Sequence, residues 1–364
     1  MISILIYLIL GFAMIQWIVV LVNLVFKARL PQLKTIETPL ISVLIPARNE
    51  QHNIGNILQD LINQDYQNIE IIVCNDHSED ETQKVIESFM NLDKRVQVFD
   101  SQPLPEGWLG KNWACHQLSQ KAKGTYFLFV DADVRMNPDL VSTTLQYHKN
   151  QKVGLLTIFP TQKMDSLGEY LTVPLMHYIL LTLLPLILVR KSHYSSLSAA
   201  NGQFMFFDAA KYKQIDPHFL VRNNKVEDIV IAGIFKKHHI PVACITGIEA
   251  IKCRMYQNLN EGIQGFSKNM VTFFGNSYLL ALLFWSFTTL PLFFIPFTGT
   301  ILENILFFLL YFTTKIMVSI VAKQNIFKNI LLFIPQHVIM LIIIIQSLLY
   351  SKNRKQIWKG RFIS

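Results

Sequence analysis

Two aspartates one residue apart, Asp131 and Asp133, follow directly on the apolar run Tyr126-Phe-Leu-Phe-Val130. Carboxylates at that spacing supply hard oxygen ligands for a divalent cation, Mn2+ or Mg2+, which can in turn hold a diphosphate. No His or Cys stands beside them, so the pair does not suit zinc. The plainer alternative is that Asp131 and Asp133 cap a helix opened by Pro138-Asp139-Leu140. Lys111, after Gly110 and a Pro-Glu-Gly-Trp turn, fits a phosphate contact, or is an ordinary lysine opening a helix. Glu227 and Asp228 precede Ile229, Val230, Ile231 and Ile234, so by themselves they read as the acidic first turn of an amphipathic helix.

The elements that must carry these residues show in the apolar pattern. Ile41-Ser-Val-Leu-Ile45 reads as a strand ending at Pro46-Ala47-Arg48-Asn49-Glu50, followed by helical spacing at Ile54, Ile57, Leu58, Leu61 and Ile62. Ile69 to Cys74 reads as a second strand running into Asn75-Asp76-His77-Ser78. Val85, Ile86, Phe89 and Met90 mark the next helix, with Ser78 and Glu81 spaced as a capping box. The third strand, at 126–130, is apolar throughout, as a strand buried on both faces should be. Strand and helix alternate as in a doubly wound α/β fold, whose right-handed crossovers bring all three strand ends to one edge. Arg48, Asn49, Glu50, Asp76, Asp131 and Asp133 are therefore expected to share one site. Gln203-Phe-Met-Phe-Phe207 reads as a core strand and His238-His239 as a helix end.

Composition points to a membrane. Of 364 residues 51% are hydrophobic and 16% charged, too apolar for a plain soluble enzyme of this length. The net charge of +8 is gathered beside apolar runs, which favours an anionic membrane surface over nucleic acid. Residues 1–26 carry no charge and precede Lys27, Arg29 and Lys34, the pattern of an uncleaved anchor whose following domain is cytosolic. Cys74, Cys115, Cys244 and Cys253 show no metal-ligand spacing and are expected as reduced, packed thiols. Residues 170–189 are long enough to span, but Pro174 and Pro185 interrupt them, and a crossing there would separate Asp131 from Asp228. An interfacial or re-entrant segment over 165–190 is therefore expected. Apolar runs at 269–302, 304–314 and 329–351 would put the basic tail (Lys352, Arg354, Lys355, Lys359, Arg361) outside if all three crossed. One is thus expected to re-enter, with Pro335-Gln336-His337 as the candidate break.

Taken in order, Val43-Leu-Ile-Pro-Ala-Arg-Asn-Glu50, Cys74-Asn-Asp-His-Ser-x-Asp80, Gly110-Lys111, Val130-Asp-Ala-Asp133, Asn201-Gly202-Gln203 and Val226-Glu-Asp228 resemble the motifs of family 2 glycosyltransferases with the GT-A fold. With the anchor, the apolar C-terminal third and the Arg254-Met-Tyr and Trp358-Lys-Gly-Arg361 stretches, the chain is similar to the membrane-bound, lipid-glycosylating branch. The resemblance implies a Rossmann-like α/β GT-A domain with an N-terminal anchor helix (1–26), a catalytic domain (27–268), C-terminal transmembrane helices (269–351) and a tail (352–364). It implies a multi-pass cell-membrane enzyme that moves a hexose from a UDP-sugar, with inversion, to a lipid such as a carotenoid acid. Pro46, Ala47, Arg48, Asn49, Glu50 and Asp76 would hold the nucleoside, and Asp131 and Asp133 the metal and diphosphate. Asp228, beside Glu227, would be the base, and Lys111 or Arg254 would help neutralise the diphosphate. The family's processive members carry Gln-x-x-Arg-Trp, absent here, so a single transfer is expected. Two other readings stay open: an inactive polytopic interaction protein, and a nucleotidyltransferase on a like fold.

Overall fold

The computed structural model describes residues 2–31, 38–353, 357–358 and 361–362. Lys34, Arg354, Lys355 and Lys359 lie outside the described residues. The chain divides into two compact units, Ala28–Thr161 with Leu188–Arg254, and Met1–Lys27 with Gln162–Ile187 and Met255–Ser364.

The first unit is built on strands β1 (Ile41–Ala47), β2 (Ile69–Asn75), β3 (Val96–Asp100), β4 (Tyr126–Val130), β5 (Val134–Met136), β6 (Leu155–Gln162), β7 (Phe204–Asp208) and β8 (Val242–Cys253), in the order β3-β2-β1-β4-β7-β6-β8-β5. The first four strands of that order are parallel, whereas β7 runs antiparallel to β4 and to β6, and β5 antiparallel to β8. The sheet is therefore mixed, with a doubly wound half formed by β3, β2, β1 and β4. All of β2 is buried and β4 nearly so, because helices cover both faces. One polar pair inside is satisfied locally: Ser42 Oγ, opposite Glu70 in the ladder, donates to its carboxylate at 2.5 Å, and Lys123 N donates to the same oxygen at 2.7 Å.

One local expectation is corrected and one alternative is set aside. The helix after β2 spans Thr82–Leu92 with Glu81 at its N-cap, so Ser78 and Glu81 form no capping box. Ser78 Oγ instead accepts from Asn49 N at 3.0 Å, which serves the loop between strand and helix. Asp131 and Asp133 cap no helix, since β5 intervenes and Asp139 is the N-cap of Leu140–Gln151. The other readings hold: Phe204–Asp208 is a buried strand, His238 is a helix C-cap, and all four cysteines are free and buried.

The second unit is helical. Three of its described helices are long and apolar enough to cross a membrane: Ile2–Val25, Ile301–Ala322 and Phe333–Tyr350. The apolar run at 269–302 is broken into Met270–Phe274, Tyr278–Thr289 and Pro291–Thr298, with a bend of 97° between Leu259–Phe274 and Tyr278–Thr289. Leu167–Leu183 is a helix of 17 residues with Pro174 inside it and a Ser166–Glu169 capping box at its start. Lys315, expected to end a run, lies inside Ile301–Ala322, where it donates to Gln336 Oε1 at 3.0 Å and stands over the rings of Tyr178 and Tyr311. The break expected at Pro335-Gln336-His337 falls earlier, at Leu332, between Ile326–Leu331 and Phe333–Asn353. Pro335 then sits in a first helical turn, where its missing N–H costs no helical hydrogen bond.

Candidate active site

The loops after β1 and β2 are tied to each other by their own polar groups. Arg48 Nη1 donates to the carbonyls of Asp76 (2.7 Å) and His77 (3.2 Å), Asn49 Oδ1 accepts from Glu79 N at 2.9 Å, and Glu50 N donates to Thr82 Oγ1 at 2.8 Å. Asn49 and His77 take positive φ, 52° and 51°, a conformation that non-glycine residues hold only where surrounding bonds enforce it. Pro46 lies two residues beyond the last β1 pair with β4, at Leu44 and Phe129, where a proline breaks no ladder bond to that strand. Ala47 O accepts from Asp76 N at 2.8 Å, and Asp76 is buried at 6% exposure. Pro46 to Glu50 and Asp76 thus form one ledge at the carboxyl edge of the parallel strands, the place where open α/β sheets bind ligands.

Asp131 and Asp133 follow on β4. Asp131 N donates to Gln203 O at 3.2 Å, which ties the end of β4 to the Asn201–Gln203 turn before β7. Lys111, in the first turn of helix Gly110–Lys121, sends its ammonium to Asp131 Oδ1 at 2.9 Å and Glu227 Oε1 at 3.3 Å. A lysine at a helix N-terminus opposes the helix dipole, so these carboxylates, not helix formation, account for its place. Burial works against its charge, but Asp131 and Glu227 outweigh it and hold the lysine well above its usual pKa. Asp228 stands beside Glu227 in the first turn of Glu227–Lys237; its Oδ2 accepts from Gly202 N at 2.9 Å and its Oδ1 from Ile229 N at 2.8 Å. Burial first, and then the charge of Glu227, push its carboxyl up to about 7 despite those N–H donors and Lys111.

Asp133 meets the test of a metal ligand in part by what it lacks. Its Oδ1 is buried without a hydrogen-bond partner, and burial, Asp131 and Glu50 push its carboxyl up to about 7. A buried oxygen left so is costly unless something completes it, and a divalent cation does. Among the described residues no three or more His, Cys, Asp or Glu gather as a complete cage. The pair therefore fits a hard ion that takes its remaining ligands from water and a bound diphosphate. Arg254 is exposed and follows Cys253, the residue paired with Val134, so it stands at the Asp133 end of β8.

Sequence reasoning gave Gly202 no role. A Cβ there would lie 3.1 Å from Glu227 Oε1 and 3.2 Å from Lys111 Nζ, so a side chain would crowd the Lys111–Glu227 pair, whereas the glycine leaves it room while its N–H reaches Asp228. The signal was the Asn-Gly-Gln tripeptide, whose glycine marks a close approach only once the neighbours are known.

Residues 42–206, from β1 into β7, match the family model for glycosyl transferase family 2. The chain carries a glycosyl transferase family 2 domain. Among curated relatives of this glycosyltransferase, 4,4'-diaponeurosporenoate glycosyltransferase of Staphylococcus aureus (strain N315) is 28% identical over 72% of this chain and 71% of its own length. The enzyme of that name from Staphylococcus haemolyticus is 26% identical over 64% of this chain and 61% of its own. The match thus spans roughly two thirds of these relatives. A solved structure, the mannosyltransferase PcManGT from Pyrobaculum calidifontis in complex with GDP-Man and Mn2+, is similar in fold with a TM-score of 0.55 at 13% identity, over 95% of this chain and 98% of that one.

Proposed function

We propose that this glycosyltransferase moves a hexose from a UDP-sugar to an oxygen of a membrane lipid, one transfer per acceptor, with inversion at the anomeric carbon. The observation that carries the reading is the convergence of Lys111, Asp131, Asp133, Glu227 and Asp228 beyond the ends of parallel strands, next to the Pro46–Glu50 and Asp76 ledge. Asp76 suits a base N–H, which would give nucleotide selectivity that charge alone does not. Asp131 and Asp133 would hold Mn2+ or Mg2+. When bound, that ion neutralises charge on the diphosphate leaving group. Lys111 supplies a second positive charge as the bond from the anomeric carbon to the diphosphate oxygen breaks. Asp228 takes the proton of a lipid hydroxyl as its oxygen forms the new bond.

A second reading of the acceptor is favoured by the curated relatives, whose name specifies a carotenoid acid. A carboxylate is already ionised near neutrality and needs no base, and the product is then a glycosyl ester. Both readings place the enzyme in the cell membrane with its α/β unit on the cytosolic side. Incubation of the membrane-embedded enzyme with UDP-glucose and bacterial lipid extract tests the reaction class. Release of UDP with a glucosylated lipid is expected; release of pyrophosphate would mark a nucleotidyltransferase instead.

A further inference from the structure

Asp228 sits in a helix whose start is not held by its own cap. Val226 is the N-cap and makes no side-chain capping bond, so the register of Glu227 and Asp228 has to be fixed from outside the helix. The loop that delivers them, 221–226, is gripped by one side chain. Asn112 Nδ2 points at three carbonyl oxygens of that loop: Val221 at 2.8 Å, Asn224 at 3.0 Å and Arg222 at 3.3 Å. Leu109 N adds a fourth tie, donating to Arg222 O at 2.8 Å. Asn112 is 1% exposed and directly follows Lys111, whose ammonium bridges Asp131 and Glu227.

We propose that Asn112 is a positioning residue that latches the 221–226 loop to the Lys111 helix and so sets Asp228 against the reacting atoms. The inference rests on the reading of Asp228 as the base. A carboxamide suits the task because its NH2 offers two donors to a cluster of acceptors. A carboxylate of the same shape would face those carbonyls with no donor, and alanine would leave the pocket without the amide. The latch acts through geometry alone, and a displacement of about 1 Å at a reacting group costs about a hundredfold in rate.

The test compares Asn112→Asp and Asn112→Ala, each alone and combined with Asp228→Asn, in the full-length membrane-embedded enzyme. Measured quantities are kcat, the acceptor KM, donor affinity and the thermal unfolding midpoint. Each single variant is expected to lose about tenfold or more in kcat, with donor affinity within about threefold of wild type. In the Asp228→Asn background the same change should cost less than about threefold, because the group it positions is already gone. An equal loss in both backgrounds, or kcat unchanged in the single variants, would overturn the proposal. Should Asn112→Asp fail to fold, Asn112→Ala carries the same comparison without adding a charge. Wild-type turnover in Asp228→Asn alone would remove the base reading and this proposal with it, whereas an inactive Asp228→Asn beside a fully active Asn112→Ala removes this proposal only.

Discussion

In the proposed reaction the carboxyl of Asp228 is the single group on which the chemistry turns. Its pKa, raised to about 7 by burial and by Glu227, is that of a base poised for work near neutrality. A base must be ionised, so transfer to a hydroxyl acceptor should rise about tenfold per unit as pH approaches 7 from below and level off above it. A kcat profile between pH 5 and 9 checks this, and an acceptor already ionised throughout that range would give no such limb. The same raised pKa makes the folded state keep a proton that the unfolded chain releases near 3.8, so this group's contribution to stability falls as pH rises from about 4 to about 7. Gly202 carries a steric prediction: Gly202→Ala should cut kcat by about tenfold or more by pushing Lys111 and Glu227 apart, while shifting the melting temperature little. The acidic residues could be read from the sequence because their types and order are informative. Gly202 and Asn112 could not, since what each touches, the Asp228 carboxylate in one case and a loop at 221–224 in the other, is far along the chain.

At the scale of elements, the apolar runs were sufficient to place β1, β2 and β4 and to bring their ends together. The ambiguity over Asp131 and Asp133 needed the structure, because β5 is a strand of three residues, Val134–Met136, too short to show a period. It separates the aspartates from the helix they were suspected of capping and leaves Asp133 Oδ1 buried without a partner. Donor binding should therefore depend on a divalent ion, and Asp133→Ala should abolish that dependence. Titration of a fluorescent nucleotide sugar with Mn2+, with and without chelator, measures it; equal affinity in both conditions would contradict the assignment. Glu227 and Asp228 form the acidic first turn of a helix, and Glu227 also meets the Lys111 ammonium. The antiparallel placement of β7 was hidden, since a buried strand reads the same in either direction.

The membrane unit carries its own prediction at the scale of the molecule. Ile2–Val25 and Ile301–Ala322 run parallel, because Trp17 donates to Thr313 Oγ1 at 3.0 Å and Lys27 to Val321 O at 2.7 Å. Phe12 packs on Phe284 and Phe287, which sets helix Tyr278–Thr289 against the first helix. The last helix meets Tyr311 and Thr289 through His337, well inside, and reaches the start of that same helix through Ser347 O and Tyr278 OH at 3.1 Å. These contacts fit a helix that returns towards the Lys27 end, the behaviour expected of one of the apolar runs, although its length and hydropathy also suit a crossing. A re-entrant 326–353 is the topology to test; beside the break at Leu332, Gln336 bonds to Lys315 and Asn329, and Leu332 N and O are both hydrogen-bonded. In that topology the basic C-terminal residues would be on the side where the chain leaves the first helix, as the positive-inside tendency favours. Labelling of a cysteine appended after Ser364 with an impermeant maleimide in intact cells should fail, and labelling from outside would contradict this topology. Counting apolar runs does not decide between the topologies, since length and hydropathy do not tell a crossing from a return.

The most direct trial of the account pairs two measurements on Asp228→Asn in membranes: transfer of labelled hexose from UDP-hexose to lipid, and equilibrium binding of the donor. The account predicts a loss of about a hundredfold or more in turnover with donor affinity kept within about threefold, since the substitution removes the base and keeps the shape. Turnover near that of the wild type on the true lipid, with a product cleaved by mild alkali, would contradict base catalysis and identify a glycosyl ester formed on a carboxylate acceptor.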